Sequence, residues 1–196
     1  MELEKFFKEF GEKLKATIKN DFPKIRKEYG KEKPYAVAFV TDSDCTTLWL
    51  GINTCEFLKK ADAEYSEDDD DYTTKWNPDE WGYSDESAQL VKLSDELYEK
   101  SRALIDEIEN QTNDITTDEL GKRIDESGFP QLFIKMVTTV FQELIQTDVF
   151  GLVPNEVTYF ITMNDDERAI EIENTSAELL NSKELYVEFL KRKTYY

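Results

Sequence analysis

The residues YAVAFV at positions 35–40 decide the fold of this chain, because they are too few and too rich in β-branched and aromatic side chains for a helix. The next four residues, TDSD at positions 41–44, are turn formers. Alternation resumes in TTLWLGI at positions 46–52, where Leu48, Leu50 and Ile52 fall on one face. The sequence therefore predicts an antiparallel hairpin over residues 35–53.

Upstream of the hairpin, apolar residues at helical spacing over positions 3–18 predict an amphipathic helix. Pro23 interrupts this pattern, so a second, short helix is predicted to run to about Tyr29. Ala36 and Ala38 give the first strand one face of small side chains, against which a helix can pack closely. We expect the first helix to occupy that face.

Downstream of the hairpin, five helices are predicted from caps followed by apolar residues at helical spacing. They are a short helix from Thr54 to Ala63, a long one from Ser84 to about Asn110, one from Thr117 that Gly128 ends, one that Pro130 begins, and one from Lys183 to Lys193. In the long helix, Val91, Tyr98 and Ile105 are expected to widen the buried apolar stripe.

A third strand is predicted at residues 157–163, which are nearly apolar on both faces and are therefore expected to lie centrally in the sheet. Residues 165–182 fit either a strand or a helix, and the helix is favoured. Together these elements predict an α/β (α+β) fold in a single domain over residues 1–196. A small, mainly antiparallel sheet would be packed by several helices.

The composition excludes several kinds of chemistry. The chain has 196 residues, no histidine and two cysteines, Cys45 and Cys55. Without histidine, an imidazole base and the Ser–His and Cys–His nucleophiles are excluded. Two cysteines are too few for a disulfide framework or a four-cysteine zinc site, and no glycine-rich phosphate motif occurs. We expect no cofactor and no metal. The absence of a long apolar run predicts a cytoplasmic protein.

The net charge of −19 is distributed unevenly along the chain. Residues 1–33 contain 10 basic and 7 acidic residues, whereas residues 62–119 contain 4 basic and 20 acidic residues, a net charge of −16. Such a stretch repels phosphate backbones and anionic lipids, and it attracts basic surfaces. We therefore expect no nucleic acid and no membrane as a partner, and a basic protein instead.

An exposed acidic loop is predicted at residues 64–74, which contain five acids in succession. They are Glu67, Asp68, Asp69, Asp70 and Asp71. A Ca²⁺ loop of the EF-hand type needs alternating acids and a glycine at its sixth position, so this run disfavours metal binding. A solvated loop and a docking surface for a basic protein both remain open.

Residues 75–83, KWNPDEWGY, place Trp76 and Trp81 around a proline and a glycine. The stretch is either a folded corner that packs on the sheet or a surface that recognises a partner through exposed aromatic rings. The acids beside the two tryptophans are Asp79, Glu80, Asp85 and Glu86. Paired carboxylates near stacking aromatics also occur in glycosidases, which keeps acid–base catalysis open.

The order of helix, hairpin, tryptophan motif and long helix resembles the bacterial domain-of-unknown-function family numbered 4303. The resemblance covers nearly the whole chain. Its most specific part is a W-x-P-x-E-W motif formed by Trp76, Pro78, Glu80 and Trp81, supported by YAVAFVTD at positions 35–42. In size, acidity and layout, such proteins are similar to immunity proteins of polymorphic toxin systems, with the SUKH group as an analogy. The analogy assigns no residue a role.

The leading hypothesis is an acidic immunity or inhibitor protein, not an enzyme, that neutralises a basic toxin such as a nuclease by capping it. The predicted partner-binding residues are the five loop acids, the two tryptophans and the four acids beside them. Two alternatives remain. One is a carboxylate-based hydrolase acting on a carbohydrate or small metabolite, and the other is a regulatory interaction module without a toxin partner.

Overall fold

A computed structural model of the chain describes residues 2–64, 75–85, 87–112, 114–153, 155–164 and 166–192. Within these residues one sheet has the strand order β3-β2-β1-β4, formed by β1 (Pro34–Thr41), β2 (Trp49–Thr54), β3 (Tyr83–Asp85) and β4 (Thr158–Met163). β2 pairs antiparallel with β1 and with β3, and β4 pairs parallel with β1. The predicted hairpin and the mainly antiparallel sheet are confirmed.

Helices cover both faces of this sheet. In the described residues they are α1 (Glu2–Tyr29), α2 (Cys55–Glu64), α3 (Ala88–Gln111), α4 (Thr117–Ser127), α5 (Phe129–Gln146), α6 (Ala169–Leu180) and α7 (Lys183–Phe189). The predicted α+β class is confirmed, and the ambiguous residues 165–182 contain the helix α6. None of the described helices combines the length and apolarity that crossing a membrane requires.

The break predicted at Pro23 does not occur, because α1 continues to Tyr29. A proline inside a helix removes one backbone hydrogen bond and costs about 3 kcal/mol. Around this position Phe22, Ile25 and Tyr29 extend the apolar stripe of α1, and none of them is more than 4% exposed. Burying one such side chain stabilises the fold by roughly 1.5–3 kcal/mol, so the three together outweigh the proline.

The two faces of β1 contact different helices. Phe39 belongs to the large core that includes the apolar stripe of α1 and the buried side chains of α5. Ala38 belongs instead to a smaller cluster with Phe160, Ala177 and Phe189. The prediction that the first helix packs on the alanine face is therefore wrong. The large side chains of α1 fill the space on the opposite face, and α6 approaches the small residues with its own Ala177.

β4 lies at an edge of the described sheet, although all six of its residues are buried. Side chains of α6 and its C-terminal cap satisfy the outer backbone groups of this strand. The N–H of Tyr159 donates to Oδ1 of Asn181 (2.8 Å), and the N–H of Ile161 donates to Oγ of Ser176 (2.9 Å). The predicted central position is wrong, because the apolar run of β4 reflects burial by helices.

The cap of the long helix α3 is Ser87, not Ser84 as predicted. Oγ of Ser87 accepts a hydrogen bond from the N–H of Leu90 (3.2 Å), whereas Ser84 lies in β3. A strand of three residues is too short to show an alternating pattern, which is why β3 and its effect on the cap were missed. The predicted cap at Thr54 is confirmed, since its Oγ1 accepts from the N–H of Phe57 (3.1 Å).

Candidate functional site

Trp76 is packed against the face of the sheet that α6 and α7 cover. Its ring lies edge-to-face against Phe189 at 5.1 Å and Phe160 at 6.4 Å between centroids, and against Tyr35 at 5.8 Å. The indole is half-buried, and Nζ of Lys75 lies 5.1 Å from its centroid. These contacts favour the folded-corner interpretation for Trp76, because the ring attaches the loop to the core.

A single turn of 3₁₀-helix, Pro78–Glu80, separates the two tryptophans of the motif. Oδ1 of Asn77 accepts from the N–H of Asp79 (3.3 Å), and the N–H of Trp81 donates to the carbonyl of Pro78 (3.1 Å). Pro78 is buried, Asp79 is exposed and Glu80 is partly exposed. The turn therefore presents its two acids on the outside of the corner.

The side chain of Trp81 packs against strand β2, beside the indole of Trp49. Gly51 makes this approach possible, since a Cβ at this position would lie 3.0 Å from Cζ3 of Trp49 and 3.1 Å from Cε3 of Trp81. The Trp81 ring also contacts Phe160 edge-to-face at 5.7 Å. A Cβ at position 51 would require both indoles to shift by a few tenths of an ångström.

A cleft of about 650 Å³ opens beside these two indoles, and we call it the tryptophan cleft. Its walls include Trp49, Trp81, Asp79 and Asp85, and Val91 from the start of α3. The structure thus brings together three of the predicted site residues, Asp79, Trp81 and Asp85. Trp76 does not line the cleft.

Asp85 is the most deeply buried of the predicted site acids that the structure describes. It ends β3, pairs with Leu50 of β2, and is only 3% exposed. Oδ1 of Asp85 accepts a hydrogen bond from the N–H of Ser87 (2.9 Å). Oδ2 is buried and has no hydrogen-bond partner among the described residues. Such an oxygen is uncommon in a native protein, because an unpaired buried acceptor is unfavourable.

The surroundings of Asp85 disfavour its negative charge. Burial raises the pKa of the Asp85 carboxyl, and the nearby carboxylate of Asp21 on α1 adds to the rise, while hydrogen bonding by Ser87 and the charge of Lys24 oppose it. Lys24 donates its own hydrogen bond to Asp21. Carboxyl groups with a raised pKa are enriched at functional sites, and structural charge networks also produce them.

We expect Asp85→Asn to stabilise the protein at pH 7. Because the folded-state pKa of Asp85 is raised, ionisation weakens the fold as the pH increases through that pKa, and an amide cannot ionise. Removing one buried charge that has an unsatisfied oxygen is worth about 1 kcal/mol or more, so the midpoint of thermal unfolding should rise by about 2 to 4 °C. Thermal unfolding followed by circular dichroism measures the shift.

The pH dependence provides the check on this prediction. The advantage of Asp85→Asn should shrink as the pH is lowered towards about 4, where the native carboxyl becomes neutral as well. Asp79→Asn, at an exposed position, is the control and should change the midpoint little. An equal gain at both pH values would contradict a contribution from the charge of Asp85.

α3 carries an exposed apolar stripe along its outer side. Val91 is 51% exposed and Tyr98 is 53% exposed, and Ile105 continues the same seven-residue spacing while partly exposed. The prediction that these residues widen the buried stripe is wrong for Val91 and Tyr98. Leu93 and Leu97 are completely buried and occupy the contact with the core instead.

A groove of about 790 Å³ lies between α3 and α4, and we call it the α3–α4 groove. Tyr98 and Ile105 line it from α3, and Leu120 and Ile124 line it from α4. Val91, at the other end of the stripe, lines the tryptophan cleft. The exposed stripe therefore joins the two depressions of this face.

Arg168, which also lines the α3–α4 groove, is neutralised by neighbouring groups. Its Nη2 lies 2.6 Å from Oδ2 of Asp166, and its Nη1 lies 3.4 Å from Oδ1 of Asp125. The hydrogen bonds from Arg168 hold the pKa of Asp166 below its ordinary value. This arginine therefore adds little free positive charge to the groove.

The Cys45 thiol is unreactive, and the described cysteines and acids do not form a metal site. Cys45 is completely buried, and burial raises the pKa of its thiol to about 12, so the thiolate is scarce at neutral pH. In the described part of the chain, no group of three or more cysteine, aspartate or glutamate residues is arranged to hold a metal ion.

A family model described as a domain of unknown function, DUF4303, matches residues 14–182. The chain belongs to this family. The matched DUF4303 region runs from α1 to just beyond α6, so it contains both the tryptophan cleft and the α3–α4 groove. The family inferred from the W-x-P-x-E-W motif is confirmed, and the likeness to SUKH immunity proteins stays a prediction. Comparison with the curated proteins and with the solved structures finds no match.

Six of the predicted site residues of this DUF4303 chain lie outside the described residues. They are Glu67, Asp68, Asp69, Asp70, Asp71 and Glu86. Sequence reasoning also missed Trp49, Val91 and Tyr98. The last two follow a seven-residue spacing at the border of the apolar stripe, which is a signal for a second contact surface. For Trp49, the available signal was Gly51, which lies two positions later on the same face of the strand. A glycine within a strand often marks a place where another group approaches closely.

Proposed function

We propose that this protein is an acidic binding protein that recognises a basic partner protein through the outer face of α3 and α4. The observation that carries the proposal is the exposed stripe of Val91, Tyr98 and Ile105 on these acidic helices. Apolar side chains that stay exposed beside a groove and are bordered by charged groups are typical of protein-binding surfaces. A complementary partner would be apolar at its centre and basic at its rim.

The charges of this face support a basic partner. Arg102 pairs with Asp106 (3.3 Å) and Arg123 pairs with Glu119 (3.4 Å), so these side chains largely cancel one another. Other exposed acids of the two helices have no ion-pair partner among the described residues; they include Asp95, Glu99, Glu109 and Asp118. The face therefore keeps a negative charge that would speed association with a basic protein.

The most specific form of the proposal is an immunity protein that neutralises a toxin. A nuclease toxin must carry a basic surface to bind phosphates, and an acidic protein that caps this surface would compete with the nucleic acid. The support for this form is the charge of the face together with the resemblance in size and layout to immunity proteins. A regulatory module would bind a basic partner that is not a toxin through the same face.

We expect reversal of three acids on this face to slow association with a basic protein encoded beside the gene. The variant Asp95→Lys/Glu99→Lys/Asp118→Lys should lower the association rate constant at least tenfold at low salt, because charge steers the encounter. The control Glu171→Lys/Glu178→Lys/Glu184→Lys changes the net charge equally, at exposed positions on α6 and α7. Biolayer interferometry at two salt concentrations measures both.

A second variant separates contact from charge in the same experiment. Tyr98→Ala should raise the dissociation rate constant about tenfold and leave association almost unchanged, because it removes an aromatic contact. If both triple-lysine variants slow association equally, the net charge of the whole protein determines the association rate, and the position of the acids on this face does not.

Reversing Asp68, Asp69, Asp70 and Asp71 to lysine tests the acidic loop separately. If the neighbouring basic protein does not bind at all, the toxin form of the proposal is lost.

A carboxylate-based hydrolase is the second candidate, and Asp85 is the observation that favours it. Asp85, whose pKa is raised by burial, is one of the residues that line the cleft together with Asp79, Trp49 and Trp81, and the general acid of a glycosidase also has a raised pKa. Release of nitrophenol from an aryl glycoside, lost in Asp85→Asn, would favour this candidate over the binding protein.

A further inference from the structure

The helix α4 has an apolar side that the described fold covers only in part. All 11 residues of α4 are described, and none of them is buried. Leu120 and Ile124, four residues apart on one side of this helix, line the α3–α4 groove and stay partly exposed. A surface helix of a globular protein normally buries such a stripe against its neighbours. The groove therefore has one wall whose apolar side chains lack a full set of contacts.

The opposite wall, on α3, presents apolar side chains at the spacing of a helix–helix contact. Tyr98 is 53% exposed and Ile105 is partly exposed, and both line the groove. They are seven residues apart, which corresponds to about 10 Å along the helix axis. A seven-residue repeat of apolar side chains is typical of one helix packed against another. The two walls together thus offer two rows of apolar side chains to a further helix.

Gly121 is an independent observation that points to an occupant of the groove. It lies within α4 and lines the groove, four residues from Thr117 and four from Asp125, which line it as well. Glycine inside a helix costs about 1 kcal/mol relative to alanine. A Cβ at this position would meet nothing within 4 Å, so the packing of the described fold does not require a glycine. A backbone that approaches α4 closely from outside would account for it.

The charges that line the groove favour a basic occupant. Arg102 and Arg168 are paired with carboxylates, at 3.3 Å from Asp106 and 2.6 Å from Asp166. Asp44 and Glu167 line the groove at exposed positions and have no ion-pair partner among the described residues. The same face of a second copy of this chain would bring like charges together, which is unfavourable, whereas lysine or arginine would complement these acids.

We propose that the α3–α4 groove binds an amphipathic α-helix of the basic partner. Apolar side chains at positions i, i+4 and i+7 of that helix would pack between Tyr98 and Ile105 on one wall and Ile124 on the other, and its basic residues would lie along the rim. The groove has a volume of about 790 Å³. The identity of the partner rests on the proposed function, and the proposal adds the kind of element that is recognised.

Three synthetic peptides test the proposal with the full chain. The first has three heptads, with leucine at positions a and d and with lysine and alanine elsewhere. The second has the same residues in an order without an apolar stripe, and the third has glutamate in place of lysine. We expect the first peptide to bind at least tenfold more tightly than either control, by fluorescence anisotropy at physiological ionic strength. Its circular dichroism should show a gain of helix on binding.

Two substitutions assign the peptide to the groove. Gly121→Trp fills the groove with an indole and should weaken binding at least tenfold. Its midpoint of thermal unfolding should not fall, because the position is open and tryptophan favours a helix more than glycine does. Tyr98→Ala should weaken binding about tenfold. The matched controls Thr175→Trp and Leu179→Ala, at exposed positions of α6, should leave the affinity unchanged.

Several results would overturn the proposal. Equal binding of the second peptide would mean that charge alone attracts the peptide, and equal binding of the third would exclude a basic occupant. Absence of binding by the first peptide, or unchanged affinity in Gly121→Trp, would exclude the groove as a helix site. A dimer of the chain alone in sedimentation, lost in Gly121→Trp, would identify a second copy as the occupant.

Failure of this proposal can be distinguished from failure of the proposed function. If only the helix proposal is wrong, the neighbouring basic protein should dissociate from Gly121→Trp at the same rate as from the unsubstituted protein, and Asp95→Lys/Glu99→Lys/Asp118→Lys should still slow its association. If the proposed function is wrong, that triple-lysine variant should leave association unchanged, whatever the peptides do.

Discussion

Arg192→Met is expected to lower the free energy of unfolding by about 3 to 5 kcal/mol. The guanidinium of Arg192 donates to Oε2 of Glu173 from Nε (3.1 Å) and from Nη2 (2.7 Å), and it lies 3.8 Å from the ring centroid of Phe189. Glu173 is 7% exposed, and its Oε1 accepts from the hydroxyl of Thr162 (2.6 Å). Removing the arginine leaves a buried carboxylate without its counter-charge, while methionine keeps much of the apolar stem.

Urea denaturation followed by far-ultraviolet circular dichroism measures this loss. Adding Glu173→Gln to Arg192→Met should restore part of the stability, since no charge is then left buried. Arg123→Met is the matched control, because its pair with Glu119 is exposed and should contribute less than about 1 kcal/mol. A loss in Arg192→Met as small as that of the control would mean that Glu173 obtains its hydrogen bonds elsewhere.

Phe160→Ala is the second large effect, with an expected loss of about 3 to 5 kcal/mol in the free energy of unfolding. Phe160 is completely buried in β4, and its ring centroid lies 4.8 Å from Phe189, 5.7 Å from Trp81 and 6.4 Å from Trp76. The substitution creates a cavity where the tryptophan motif meets the sheet. The released indoles should become more hydrated, so tryptophan emission should move to longer wavelength in the folded protein.

The control for Phe160→Ala is Leu179→Ala on α6, because Leu179 is 57% exposed and its truncation leaves no cavity. Its effect should stay within about 0.5 kcal/mol, with no change in emission. An unshifted emission spectrum in a destabilised Phe160→Ala protein would show that other contacts hold Trp76 and Trp81 in place.

Local patterns predicted those parts of the fold that local physics determines. The hairpin of β1 and β2 was predictable, because alternation and turn formers act over a few neighbouring residues. Pro23 misled the prediction, since burial of Phe22 and Ile25 against other elements outweighs the local cost. The edge position of β4 was hidden for a similar reason, because Asn181 supplies from α6's C-terminal cap the hydrogen bonds that a neighbouring strand would supply.

The candidate site was predictable where its residues are neighbours in sequence. Asp79, Trp81 and Asp85 come from one short stretch, and the structure places them in one cleft. Trp49 lies on another strand, and only the pairing of β2 with β3 brings it to the site. The burial of Asp85 depends on α1 packing against β3, which no local pattern reveals.

The covered edge of β4 also limits the ways in which this protein can associate. A strand from another chain cannot extend the sheet beside Tyr159 and Ile161, since Asn181 and Ser176 already hold their amide protons. At the opposite edge of the described sheet, β3 offers only three residues as a template. Recognition by strand addition is therefore disfavoured in the described part of the molecule, and a partner must bind through contacts with side chains. The same arrangement protects copies of the chain from joining edge to edge into larger aggregates.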